Sequence, residues 1–119
     1  MGKSRLNEGT YHKGVLLQTY QDGSVSRPRV RPVSHFEENV NVRFPRKLRE
    51  DFPIGTMFRA RVKVCQKHWN HNGEPKGQPY LHVDEADIEV IIQSIPDPGL
   101  RAKLKPGTVS GRAYIYVME

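Results

Sequence analysis

At 119 residues, 36% of them hydrophobic, and with a mean hydropathy of −0.67, the chain can bury one core but not two, and no apolar run is long enough to cross a bilayer. The single cysteine, Cys65, excludes an internal disulfide and suits a reducing compartment, and Met1 to Asn7 lacks an apolar secretory stretch, so a cytoplasmic protein without membrane association is expected. The net charge of +6 favours polyanionic partners, and the excess lies early: residues 1–49 hold ten Lys and Arg against four acids, residues 50–119 nine against nine.

A polar segment, residues 1–9, reads as loose, and a single β-rich domain is expected over residues 10–119. Tyr11 to Gln21, carrying Val15, Leu16 and Leu17, predicts a first strand; Asp22-Gly23 is a hairpin-turn pair, and Val25 to Val33 predicts the return. Pro28 and Pro32 stand four apart, so their missing amide hydrogens point to one side of that strand, as at a sheet edge. A two-residue turn would aim the absent donor of Pro28 at the partner strand, which requires a longer turn or a ladder that ends before Pro28. Such an edge also offers a route to a homo-oligomer. Arg27, Arg29 and Arg31 share one parity and form the densest basic row of the chain.

Val40 to Phe44 alternates as a third strand. Pro45 opens a single helical turn reaching Asp51, with Leu48 and Phe52 at four-residue spacing and Arg46, Lys47 and Arg49 facing water. The run Val42-Arg43-Phe44-Pro45-Arg46-Lys47-Leu48-Arg49-Glu50, followed by Ile54-Gly55, resembles the AbrB-type swapped-hairpin DNA-binding motif over a short part of the chain. In that family a strand, a Pro-basic pair, a short helix and a glycine-started strand build an intertwined DNA-binding dimer, and the resemblance implies the same here. Thr56 stands where the family has an acidic residue after the glycine.

From Phe58 to Val64 the apolar Phe58, Ala60, Val62 and Val64 alternate with Arg59, Arg61 and Lys63, which predicts a half-buried strand with a basic face. Ala86, Ile88, Val90 and Ile92 alternate with Glu85, Asp87 and Glu89 in an acidic counterpart. Paired with Arg59 opposite Glu89, Arg61 opposite Asp87 and Lys63 opposite Glu85, the two strands neutralise each other and leave the surplus charge before residue 50. Gln66 to Asp84, with Asn72-Gly73, Pro75, Gly77 and Pro79, is expected as a long, irregular hairpin tip. Asp97 caps a last helix that begins at Pro98, docks Leu100 and Leu104 and stops at Pro106-Gly107. Gly111 to Met118 predicts a final strand that carries Tyr114 and Tyr116 beside Arg112.

Cys65, His68, His71 and His82 are spaced C-x2-H-x2-H-x10-H, a set of zinc-binding side chains whose spacing permits a site without specifying one. In a regular strand Cys65 and His68 point to opposite faces, whereas His68 and His82 share a parity and can be diagonal neighbours across the hairpin. Loop histidines without a ligand role are the reading adopted, and no metal or cofactor is expected. Cys65 has no Gly-rich turn or helix start beside it to activate a thiolate. The acid pairs Glu37-Glu38, Glu50-Asp51 and Asp84-Glu85 diverge in extended chain, and no phosphate-cradling loop, HExxH pair or nucleophile elbow is present. An enzyme is not indicated.

The pattern therefore predicts a mainly β fold: a single small domain of about six antiparallel strands as a curved sheet or small barrel, with one or two short helices. The function expected is non-enzymatic binding of nucleic acid, single-stranded DNA or RNA in preference to base-specific duplex reading. Its cationic track is Arg27, Arg29, Arg31, Arg43, Arg46, Lys47 and Arg49, with Tyr20, Tyr114 and Tyr116 as stacking surfaces. The alternative is a small-molecule or protein-binding module built on the aromatic loop of His68, Trp69, His71, Tyr80 and His82.

Overall fold

The computed structural model describes residues 3–23, 27–104, 108–110 and 113–116, the last two stretches through their backbone alone. In chain order the elements are β1 (Tyr11–Gln21), β2 (Pro28–Pro32), β3 (Asn41–Arg43), α1 (Arg46–Asp51), β4 (Met57–His68), β5 (Pro75–Ile91), a 3-10 turn (Ile92–Ser94), α2 (Pro98–Lys103), β6 (Thr108–Ser110) and β7 (Ala113–Tyr116). The fold is mainly β, a single small domain with two short helices, and five of the strands make a sheet nearly closed into a barrel. No described helix is long and apolar enough to cross a membrane.

Around the barrel the strands run β2-β1-β4-β5-β3, and β3 comes back into contact with β2. Two pairings are parallel, β3 with β5 and β5 with β7, where antiparallel strands were expected. Chain path explains the first: α1 and the β4–β5 turn each reverse the chain, so β5 returns in the direction of β3. The predicted final strand, Gly111 to Met118, contains β7, and β6, which was not predicted, lies just ahead of it and pairs with it as an antiparallel hairpin.

Strand alternation supplies the core. Val15 and Leu17 of β1, Val30 of β2, Phe58, Ala60, Val62 and Val64 of β4, and Leu81, Val83, Ile88 and Val90 of β5 are all buried. Each large apolar side chain so placed contributes about 1.5–3 kcal/mol. Pro45 occupies the position just before α1, and the helix drops Leu48 and Phe52 into the barrel end. There Phe58 meets Phe44 at 4.8 Å and Phe52 edge-on at 5.7 Å. The outward face of α1 carries the i,i+4 pairs Arg46–Glu50 and Lys47–Asp51. In α2, Asp97 accepts hydrogen bonds from the amides of Gly99 and Leu100, and Leu100 and Leu104 pack on the core as predicted.

Among the described residues, Thr19 and Thr56 are the buried polar ones. The Thr56 hydroxyl donates to the Pro53 carbonyl at 2.8 Å, and the Gly55 amide donates to the Thr19 carbonyl at 3.1 Å, with the Thr19 hydroxyl 3.2 Å away. These contacts satisfy the turn between α1 and β4 and pin it to β1.

Register irregularities bend the strands. Gly14, at φ +66°, sits in a bulge that gives β1 one residue more than β4 between His12 and Val15. A larger shift follows in β5, where Ala60 pairs with Ile88 but Val62 with Val83. Arg59 therefore faces Glu89 as predicted, at 3.6 Å, but Arg61 reaches Asp84 at 3.9 Å and Lys63 lies opposite His82. The two expected partners Asp87 and Glu85 fall inside the extra length of β5, which residue counting along a regular ladder cannot anticipate.

The barrel stays open at one seam. Gln21 pairs with Pro28, so the β1–β2 turn is longer than two residues, and Val33 donates its amide to Leu16 at 2.8 Å. By alternation the backbone N–H positions of residues 29, 31 and 33 face β1, and those of 28, 30 and 32 face β3. Two of the latter three are prolines. No ladder forms between β2 and β3, and Arg49 of α1 crosses to β2 by donating from Nη1 to the Pro28 carbonyl at 3.3 Å.

Candidate nucleic-acid interface

The predicted cationic track divides into cations with acid partners and cations without. Arg29 and Arg31 project from β2, but Arg29 is 3.5 Å from Asp22 and Arg31 3.8 Å from Glu38. Arg46 and Lys47 are engaged with Glu50 and Asp51 on α1. Exposed pairs of this kind contribute roughly 0–1 kcal/mol each, so they lower the local potential without fixing the side chains. Among the described residues, no carboxylate lies within ion-pair distance of Arg43 or Arg49. Arg27 is exposed just ahead of β2, and the side chains of Tyr114 and Tyr116 lie outside the described part of the molecule.

Arg43 is the centre of the arrangement. β3 lays it beside β5 with Arg43 in register with His82 and Asn41 with Tyr80, and the guanidinium rests over the Tyr80 ring at 4.5 Å. On one side of Arg43 is an open depression of about 400 Å³ whose polar lining is Arg49, His82 and Glu85. On the other is one of about 310 Å³ lined by Asn41, Lys67, Lys76, Gln78 and Tyr80. Lys67 and Lys76 were not singled out from the sequence. The Asn72-Gly73 turn signals that the chain folds back there, but which residues meet depends on a second bulge, between Cys65 and Lys67, that Gly77 accommodates at φ +74°. Gln66 holds this bulge, its amide nitrogen lying 2.9, 3.2 and 3.1 Å from the carbonyls of Lys67, Lys76 and Gly77.

The aromatic loop is shorter than expected, because β4 and β5 extend to His68 and Pro75 and leave only Trp69 to Glu74 between them. Trp69 is 45% exposed; its ring carries the Lys76 ammonium at 4.6 Å and lies near His71 at 5.9 Å. The loop of the alternative reading thus joins the basic surface. His82 lies opposite Lys63, well down the ladder from His68, so these two histidines are not diagonal neighbours. Among the described residues no three His, Cys, Asp or Glu side chains gather where they could hold a metal ion. Cys65 is half-buried, with its thiol toward the Lys63 carbonyl at 3.7 Å.

His68 instead ties the hairpin tip to the N-terminal segment. Its Nε2 is 2.9 Å from a Glu8 carboxylate oxygen and its Nδ1 2.9 Å from the Gly73 carbonyl. Only the imidazolium can donate to both, and the Glu8 hydrogen bond first, then the Gly73 carbonyl, raises the His68 pKa above 6.5. A group whose folded pKa is raised contributes stability that is fully present below pH 6.5 and is lost as pH rises through the folded value. Histidine NMR titration should place the His68 midpoint above 6.5, and Glu8→Gln should bring it down; a midpoint at or below 6.5 in the parent protein would contradict the contact.

Comparison with protein-family models, curated proteins and solved structures gives no match to this chain. Within the one chain described, β3 and β4 both pair with β5, so the strand–helix–strand run that carries the AbrB-type resemblance forms one arc of the barrel.

Proposed function

We propose that the protein binds single-stranded nucleic acid across the β3–β5 face and the β4–β5 hairpin. The observation that carries this reading is the cluster of Arg43, Arg49, Lys67 and Lys76 along two adjoining depressions, without an ion-paired carboxylate among the described residues. Phosphates need cations that are not already neutralised, and unstacked bases need rings or guanidinium planes; Tyr80 under Arg43 and Trp69 under Lys76 supply both. Support at the level of architecture comes from the strand order β1-β2-β3-β5-β4, closing on β1, with a helix between the third and fourth strands. We read this order as OB-fold-like, with β2 and β3 adjacent but not laddered; in that fold the second and third strands and the 1–2 and 4–5 loops form a general surface for oligonucleotides and oligosaccharides. Arg29 and Arg31, with Tyr20 beneath Arg31 at 5.0 Å, extend the surface across β2.

The test is the salt dependence of binding to a single-stranded oligonucleotide. Affinity should fall steeply with salt, and changing Arg27, Arg29 and Arg31 together to alanine should lower the log–log slope by at most about 2, at roughly 0.7 for each phosphate no longer neutralised. Binding indifferent to salt, or no binding at low salt, would overturn the reading.

A further inference from the structure

We infer that Lys67, Lys76 and Arg43 form a phosphoryl-anion subsite, and that filling it stabilises the β4–β5 hairpin. The inference deepens the nucleic-acid reading and rests on it only for the source of the phosphate. Lys67 and Lys76 are direct cross-strand partners. Like charges placed opposite each other in a ladder destabilise it, and an acid nearby ordinarily relieves them. Here none does: among the described residues, neither lysine has a carboxylate within ion-pair distance; Glu8, which reaches the hairpin from the N-terminal segment, is engaged with His68, and Glu74 of the tip forms no ion pair with either lysine.

The two lysines are also held in place. Gln66 fixes the backbone carbonyls of both, so the bulge cannot readily relax to move them apart. The Lys76 ammonium is held at the Trp69 ring and the Arg43 guanidinium at the Tyr80 ring. Three cations and the amides of Asn41 and Gln78 thus surround a depression of about 310 Å³. A phosphoryl group matches this set: its oxygens accept from both ammonium groups, and a guanidinium can bind two of them in parallel. The amides are left for neutral donors and acceptors on an attached sugar or base. In the vacant state the cross-strand repulsion stands, and a bound anion converts it into shared attraction.

Thermal unfolding of the full chain with inorganic pyrophosphate, against sodium chloride at matched ionic strength, tests the subsite. Pyrophosphate should raise the midpoint saturably and chloride should not. Lys67→Gln and Lys76→Gln should each leave the anion-free midpoint equal to or above that of the parent, while the pyrophosphate response disappears. Equal responses to the two salts, a pyrophosphate response that survives both changes, or a lowered anion-free midpoint in both would overturn the subsite. Competition separates the sources of the phosphate. Pyrophosphate displaced by single-stranded oligonucleotide supports a backbone phosphate. Saturable pyrophosphate binding with no oligonucleotide binding keeps the subsite, assigns it to a free phosphate compound and overturns the nucleic-acid reading. Oligonucleotide binding unaffected by either lysine change, with no specific pyrophosphate response, does the reverse.

Discussion

Replacing Phe58 with alanine is expected to lower the unfolding free energy by about 3–5 kcal/mol, the range for truncating a fully buried phenylalanine. The side chain has no exposed surface, and its ring is the common neighbour of Phe44, which precedes α1, and Phe52, which follows it. Neither neighbour can collapse into the space without dragging the helix, because Pro45 and Pro53 bracket the segment and the Thr56 hydroxyl ties Pro53 down. The loss is therefore placed toward the upper part of that range. Small domains have total stabilities of roughly 5–15 kcal/mol, so the variant should sit near the limit of folding. With about 2.1 cal/mol/K of unfolding entropy per residue, the thermal midpoint should drop by roughly 12–20 °C. A urea titration should show a lower midpoint at unchanged slope; a loss under about 1 kcal/mol would mean that the aromatic cluster is not the packed end of the core.

The quadruple change of Arg43, Arg49, Lys67 and Lys76 to glutamine should have the largest effect on binding. Each phosphate contact to a single strand contributes about 0.7 to the log–log salt slope, so removing four should flatten it by about 3. The affinity gap between parent and variant should accordingly narrow by roughly fifty-fold between about 50 and 200 mM salt. The expected contrast with the Arg27, Arg29 and Arg31 variant is specific to this structure, because Arg29 and Arg31 must first leave Asp22 and Glu38. If the β2 arginines mattered more than the quadruple set, the binding surface would lie on the other side of the seam. Circular dichroism should show the quadruple variant folded, since none of the four belongs to the apolar core.

The local features of this fold were legible because local chemistry sets them. Tyr11 to Gln21 is a strand with the predicted bounds, and Asp97, Pro98 and Leu100 form the predicted cap, first turn and docking residue. The alternation of Phe58 to Val64 marks the buried face of β4 without error. What escaped was register. The extra residues in β5 between Ile88 and Val83 move Arg61 from Asp87 to Asp84, and the bulge at Gly77 sets Lys67 against Lys76. A bulge leaves little trace in a hydrophobic pattern when the inserted residues are polar, as Asp84, Glu85 and Asp87 are. The parallel pairing of β3 with β5 is a long-range contact between a three-residue strand and a distant one, with no local signal to announce it. For the candidate site, Arg43, Arg49, Tyr80 and Trp69 were visible as residue types, but their convergence was not. Arg43 of the expected basic track and Tyr80 of the expected aromatic loop line one depression, and Lys76, in neither expectation, links it to Trp69.

The prolines at the seam bear on what the β2 edge can offer another strand. A strand edge recruits a visiting strand by offering a row of amide donors, which is how β proteins add strands from neighbours or grow into fibrils. Along β2 that row is reduced to Val30, because Pro28 and Pro32 have no hydrogen to give. The same two residues that leave β2 and β3 without a ladder thus make this open edge a poor template for a visiting strand.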